Sequence, residues 1–216
     1  MELIVKLILS YLLGSISGSM LMGKLSEVDI REMGSGNAGS TNAFRTMGVG
    51  FAIGVLFIDV LKGFIAVKLV PILKLGGIIT INTQEIDPLL ILCGIGVMLG
   101  HVYPIYHGFK GGKGAGTMVG VLGALVPMYL SFILPIWLVV LFFSGYVGLS
   151  TMIAGIALPI CTHSFYPTGI YSPFGFFSVM VSVFIFYTHR DNIHRMLNGN
   201  ENRFETIMLL RKKSDK

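Results

Sequence analysis

Three polar, glycine-rich segments interrupt an otherwise apolar chain and concentrate the residue types that could do chemistry. They read Gly34-Ser35-Gly36-Asn37-Ala38-Gly39-Ser40-Thr41-Asn42, Gly108-Phe109-Lys110-Gly111-Gly112-Lys113-Gly114 and His189-Arg190-Asp191-Asn192-Ile193-His194-Arg195. Each places backbone amides, which glycine lets turn inward, beside cationic side chains, the combination that binds an oxyanion or a phosphate.

In the second segment Lys110 and Lys113 stand at either end of Gly111-Gly112, the outline of a phosphate cradle. It is not a Walker A loop: the leading glycine is missing, and Gly114 replaces the Ser or Thr that would hold magnesium, so ATP hydrolysis is not expected. The plain alternative is a cytoplasmic turn whose lysines touch lipid phosphate. In the first segment Ser35, Asn37, Thr41 and Asn42 are followed by Arg45, whose guanidinium can pair with a phosphate through two parallel bonds. The alternative there is a turn whose Asn and Ser satisfy their own backbone. A serine nucleophile would need a base, and only folding could bring His101, His107 or His189 near.

His189 and Asn192 are three residues apart at the end of the last apolar segment. His189 is open to three readings: a general base, a phosphate ligand or an interfacial residue. Asp59 and Lys62, also three apart, share one face of a helix inside an apolar segment. An internal structural ion pair is favoured there over a proton relay, because ionisable groups at that depth are costly and usually pair.

The elements that must position these residues are membrane helices. Of the 216 residues, 53% are hydrophobic and 12% charged, with a mean hydropathy of +0.78, where a soluble domain carries about twice that charge. Lipid cannot satisfy irregular backbone, so the three polar segments must lie at water or line an enclosed cavity. Apolar segments run over about 3–22, 49–73, 88–106, 117–127, 129–144, 147–166 and 173–188, which predicts an all-α polytopic membrane protein with about seven transmembrane helices. The first is expected to be an uncleaved helix rather than a signal sequence, and its Gly14 and Gly18 are spaced for close helix packing. The fourth, about eleven residues or roughly 17 Å, is too short for a core of about 30 Å, so Pro127 and Pro135 are expected to mark short or broken helices. Residues 1–216 read as one membrane-embedded domain, with 189–216 as a cytoplasmic tail.

Seven crossings with the N-terminus outside put 12 of the 16 Lys and Arg on the side that holds all three polar segments, including Arg203, Arg211, Lys212 and Lys213 of the tail. The positive-inside rule makes that side cytoplasmic. The net charge of +5 is spread among membrane loops, so nucleic acid is not an expected partner; anionic lipid or a small phosphorylated substrate is. Cys93 and Cys161 lie in apolar segments without a C-x-x-C pairing and read as packing residues. No metal cluster or dinucleotide fingerprint is present, and no cofactor is expected.

Four ordered strings then carry a resemblance: Gly34-Ser35-Gly36-Asn37-x-Gly39-x-Thr41-Asn42-x-x-Arg45, Asp59-Val60-Leu61-Lys62-Gly63, Gly100-His101 through Phe109-Lys110-Gly111-Gly112-Lys113-Gly114, and His189-x-x-Asn192-Ile193-x-Arg195-x-x-x-Gly199-x-Glu201. With Tyr11-Leu12-Leu13-Gly14-Ser15-Ile16 ahead of them, they resemble the bacterial membrane acyl-phosphate:glycerol-3-phosphate acyltransferases over nearly the whole chain. The resemblance implies transfer of a fatty acyl group from acyl phosphate to the 1-hydroxyl of glycerol 3-phosphate, giving lysophosphatidic acid and phosphate in phospholipid synthesis. A partner that makes acyl phosphate upstream would follow from it. By the same resemblance Ser35, Arg45, Lys110, Lys113, His189 and Asn192 are catalytic. Gly36, Asn37, Thr41, Asn42, His101, Gly111, Gly112, Gly114 and Ser150 bind substrate, and Asp59, Lys62 and Glu201 are structural.

The chain departs from the family pattern at Ala38, Ser40, His107 and Gly148, and a hydroxyl near Gly148 would have to come from Ser150 or Thr151. The rival class is a transporter or flippase of an organophosphate, which a basic cavity with intramembrane Asp59 and Lys62 would also serve. Clustering of the motifs on one face and the lack of a repeat between the halves favour the enzyme.

Overall fold

Apolar runs too long for a soluble helix pattern fold here, among the described residues, into ten α-helices and four 3-10 turns. The structure, a computed structural model, describes residues 1–73 and 86–209, and among these no strand occurs. Arg211, Lys212 and Lys213, which entered the charge argument, lie outside the described residues. The helices are α1 (Glu2–Gly14), α2 (Gly18–Leu25), α3 (Ser40–Met47), α4 (Val49–Lys68), α5 (Pro88–Val102), α6 (Ala115–Leu125), α7 (Pro127–Ser144), α8 (Val147–Phe165), α9 (Pro173–Thr188) and α10 (Arg190–Leu197).

Among the described residues four spans are long and apolar enough to cross a membrane, α4, α5 continued through the 3-10 turn to His107, α7 and α8, and α1 with α2 makes a fifth if the pair, bent by 41°, is one span. The expected first span therefore exists as two pieces. The expected fourth and seventh spans are α6 and α9, apolar but only 11 and 16 residues long. Pro127 opens α7, where its missing N–H is no loss. Pro135, expected to break a helix, sits inside α7 without ending it. It removes one donor from the ladder, a defect that membrane helices absorb locally.

The chain forms two compact units, residues 1–127 and 128–216. In the first, α1 packs along α5 and α4 along α6. Burying leucine against leucine gains little inside lipid, so such pairs are held by close backbone approach at small residues. Gly96 of α5 leaves room for Leu7 and Ser10 of α1, while Gly14 and Gly100 sit against the opposing backbone at Val97 and Tyr11. Gly63 and Gly120 do the same for α4 and α6, facing the backbones of Thr117 and Val60. The loop 26–39 after α2 and the loop 103–114 after α5 meet at one end of this unit, where Arg31 Nη1 donates to the His107 carbonyl.

In the second unit α8 packs on α9, and α10 touches both. Phe174 packs its ring against those of Tyr129, Tyr166 and Phe177, each tilted and between 5.1 and 6.1 Å away. At one end, the segment after α10 closes over the α7–α8 turn: the Phe204 amide donates to the Gly145 carbonyl at 2.9 Å and the Leu209 amide to the Phe142 carbonyl at 3.0 Å.

Candidate active site

The first glycine-rich segment is wrapped around one amide side chain. Asn42, 1% exposed, donates through Nδ2 to the carbonyls of Ile30 at 3.1 Å and Met33 at 2.9 Å, and its Oδ1 accepts the Ser35 amide at 2.9 Å. Beneath the loop, Ile30 is buried with Ala43, Phe51, Ala52 and Val55. Gly34 and Gly36 take φ of +57° and +71° on either side of Ser35, a conformation open to glycine and strained for most other residues. The loop thereby presents Ser35 at an exposed tip, and its hydroxyl makes no hydrogen bond among the described residues. Asn42, expected to bind substrate, has its amide engaged by the loop. Asn37, in the loop before α3, and Thr41, in its first turn, are half-buried, as is Arg45 in its last turn.

The second segment treats its amides differently from a phosphate cradle. The amide of Phe109 donates to Pro104 O at 2.9 Å, Lys110 to His107 O at 3.4 Å, Gly111 to Val102 O at 3.2 Å and Gly112 to His101 O at 3.2 Å. Those four donors return to the chain, so anion chemistry in this loop falls to the exposed Lys110 and the half-buried Lys113. Glycine at 111 and 112 answers a close approach. A Cβ at 112 would run into the His101 ring and come within 3.0 Å of the Ala38 carbonyl; one at 111 would lie 2.7 Å from Pro104 Cδ. Gly114, at φ +91°, turns the chain into α6.

Between these loops is an open cleft of about 360 Å³ lined by Asp29, Arg31, Glu32, Gly36, Lys110 and Gly111. Asp29, Arg31 and Glu32 were not singled out by the sequence reading. Asp29 caps a 3-10 turn by accepting the Arg31 amide at 2.9 Å, and the Arg31 guanidinium forks onto its carboxylate. Those hydrogen bonds hold the Asp29 carboxyl below its usual value and raise Arg31. An Asp-x-Arg pair immediately before a glycine-rich segment was the signal that could have found them.

Behind the second loop lies a buried charged cluster. Lys62 Nζ is 3.0 Å from Asp59 Oδ1, both side chains under 5% exposed, and it also donates to the carbonyls of Gly14 at 2.9 Å and Ile16 at 2.7 Å. Asp59 Oδ1 accepts the Gly18 amide at 3.2 Å and stands 3.5 Å from His101 Nδ1. These are the carbonyls and the amide that the break between α1 and α2 leaves without helical partners. The pair is thus bound to the break itself. His101, 3% exposed, sits behind Gly112 rather than in the cleft.

In the second unit His189 and Asn192 flank the start of α10, at 4% and 8% exposure. His189 Nδ1 lies 2.8 Å from the Ile185 carbonyl. A carbonyl only accepts, so this bond assigns the proton to Nδ1 in the neutral ring and makes Nε2 the basic nitrogen. Asn192 Nδ2 donates to Glu201 Oε1 at 2.8 Å, and Arg195 Nε donates to Glu201 Oε2 at 2.6 Å. Gly148 lies directly under Asn192, where a Cβ would come within 2.9 Å of Nδ2. Ser150 is fully buried and its hydroxyl donates to the Tyr146 carbonyl at 2.9 Å; Thr151 donates to Val147 O at 2.9 Å and accepts from Trp137 Nε1 at 3.1 Å. Both hydroxyls that could replace one at Gly148 are therefore engaged within the helices.

Comparison with known proteins places these loops in company. Residues 4–199 match the family model for glycerol-3-phosphate acyltransferase. The chain is 37% identical over 206 residues to the glycerol-3-phosphate acyltransferase of Aquifex aeolicus (strain VF5), covering 94% of this chain and 100% of that one. It is 40% identical over 201 residues to glycerol-3-phosphate acyltransferase 2 of Bacillus anthracis, covering 93% and 98%. Among solved structures it resembles PlsY (YgiH), an integral membrane glycerol 3-phosphate acyltransferase. The TM-score is 0.80 for the glycerol 3-phosphate form, at 36% identity over 94% of this chain and 95% of that one. For the lysophosphatidic acid form it is 0.78, at 35% identity and the same coverage.

Proposed function

The chain belongs to the glycerol-3-phosphate acyltransferase family, and on that premise we propose that it takes its acyl group from acyl phosphate and transfers it to the 1-hydroxyl of glycerol 3-phosphate, releasing lysophosphatidic acid and phosphate. The observation that carries the reading is the cleft between Gly36 and Lys110, beside the Ser35 tip. It offers Lys110 to a substrate phosphate while the acyl tail stays in lipid. Both substrates are phosphates, and an acyl phosphate already has a good leaving group, so positioning and charge stabilisation supply what the reaction needs.

In this reading the acceptor hydroxyl attacks the acyl carbonyl, and the Ser35 hydroxyl stabilises the oxyanion that forms. When the tetrahedral intermediate collapses, the carbon–oxygen bond to phosphate breaks, and Arg45, Lys110 and Lys113 stabilise the departing phosphate. The proton of the attacking hydroxyl ends on that phosphate, directly or by way of a base. Neutral His189, with Nε2 as its basic nitrogen, is the residue proposed for that base, and Asn192 is proposed to be required for turnover. Asn37, Thr41 and Gly114 are assigned to substrate binding. Asn42, His101, Gly111 and Gly112 shape the loops, and Asp59, Lys62 and Glu201 support them. The chain is read as one functional domain of a bacterial cytoplasmic membrane, its glycine-rich loops facing the cytoplasm by the distribution of Lys and Arg, and supplied by an enzyme that makes acyl phosphate.

The test uses the purified full chain in detergent with glycerol 3-phosphate, offering palmitoyl phosphate, palmitoyl-CoA and palmitoyl acyl carrier protein as parallel donors. Phosphate release that depends on both substrates and yields lysophosphatidic acid is expected. Turnover only with a thioester would overturn the donor and keep the reaction class.

A further inference from the structure

The two loops that frame the cleft are carried by different helices, one leaving α2 and the other leaving α5, and a side chain outside both glycine motifs ties them together. Arg31 Nε reaches the two Asp29 oxygens at 3.1 and 3.2 Å, Nη2 reaches Oδ2 at 2.7 Å, and Nη1 crosses to the second loop and donates to the His107 carbonyl at 3.1 Å. Asp29 is itself fixed by the Arg31 backbone amide. The Nε–Nη2 edge of one rigid, planar group is thus locked on the first loop, and its third nitrogen, Nη1, is held by the second. An ion pair 29% exposed on each side contributes little as an attraction. A planar fork with three directional contacts instead fixes a distance, which a flexible ammonium cannot do.

We propose that the Asp29–Arg31 pair is a positioning device for acyl transfer, holding the loop that carries Ser35 at a set separation from the loop that carries Lys110. Asp29, Arg31 and Gly36 line one side of the cleft and Lys110 and Gly111 the other, so a change in that separation alters the grip on a substrate phosphate without removing Ser35 or Lys110. The inference rests on the reading of this cleft as a phosphate site.

The test is steady-state kinetics of the full chain in detergent, varying each substrate in turn, for Arg31→Lys, Asp29→Asn, the double variant and Lys110→Ala. Arg31→Lys keeps the charge and loses the fork; Asp29→Asn keeps the shape and loses the carboxylate. Each is expected to lower kcat/KM by about tenfold, chiefly through KM for one or both substrates, with the melting temperature near that of the parent. The double variant is expected to be no worse than the worse single, because both break one device. Wild-type kcat/KM in Arg31→Lys would overturn the proposal. So would a double effect equal to the product of the singles, or a loss explained wholly by less folded protein at unchanged KM. If Arg31→Lys does not fold, Asp29→Asn with rescue by Asp29→Glu decides in its place. Lys110→Ala reports on the cleft alone: unchanged KM for both substrates there would remove the phosphate site, while the Arg31 and Asp29 variants still judge the pair.

Discussion

The Lys62 ammonium lies 2.7 Å from the Ile16 carbonyl, although 46 residues separate them. With Gly14 O at 2.9 Å and Asp59 Oδ1 at 3.0 Å, all three of its protons have acceptors. A helix that breaks within lipid exposes carbonyls and an amide with no water to satisfy them. Here the carbonyls take Lys62 and the Gly18 amide takes Asp59. The pair of intramembrane charges that would suit a transporter has a structural employment, which removes one reason for the transport reading.

Lys62→Met should therefore cost about 3–5 kcal/mol in stability, because it strands Asp59 and uncaps two carbonyls at once. The double change Asp59→Asn with Lys62→Met should be milder than Lys62→Met alone, since no buried charge remains unpaired. Unfolding by SDS titration measures both. A double variant as unstable as the single would mean the carbonyls, not the carboxylate, set the cost.

Ser35→Ala removes a hydroxyl with no partner among the described residues and should leave the melting temperature in place while reducing turnover by about 10²-fold or more. Arg45→Ala should likewise abolish turnover in folded protein. Phosphate release by either variant at the parent rate would strip that residue of its assigned role.

The helices could be read from sequence because apolar runs bounded by glycine and charge leave lipid few alternatives, and the polar segments stood out for the same reason. The break between α1 and α2 could not. Ser15-Ile16-Ser17 carries no helix breaker, and what sustains the break lies on α4. Nor could the direction of the amides at 109–112, since glycine permits a turn toward a ligand as readily as toward His101 and Val102. Nor is Arg31 legible, since a guanidinium beside an aspartate in a loop resembles solvated charge and its partner, the His107 carbonyl, lies 76 residues away.

Gly112 tests how closely the second loop is held. Alanine there meets the His101 ring and the Ala38 carbonyl, so Gly112→Ala should lower both melting temperature and kcat/KM, the latter about tenfold or more. Adding His101→Ala removes the larger obstruction and should recover part of the lost stability. Full activity in Gly112→Ala would show slack in the loop where the packing indicates none.

Asp29 gives the cleft a defined pH response. The Arg31 hydrogen bonds hold its carboxyl below 3.8 in the folded chain, a depressed value, so the pair's contribution is complete above the unfolded pKa near 3.9 and fades as pH falls through the lowered folded value. The difference in thermal stability between the parent and Asp29→Asn should be constant from about pH 5 to 8 and shrink only below about pH 4. A difference that varied across neutral pH would point to another titrating group.

Glu201 and Asn192 should separate stability from turnover. The Glu201 carboxylate accepts from Asn192 Nδ2 and Arg195 Nε, one on each oxygen. Alanine at 201 leaves both donors without that acceptor, a loss of about 1–3 kcal/mol. Glutamine fares little better, since it turns an N–H toward one of two donors. Asn192→Ala instead leaves a carboxylate that Arg195 still holds, so its cost should fall on turnover, by about 10²-fold. The measurement pairs melting temperature with kcat for each variant. If Glu201→Ala were inactive at parental stability, the carboxylate would belong to the chemistry and not to the scaffold that orients Asn192.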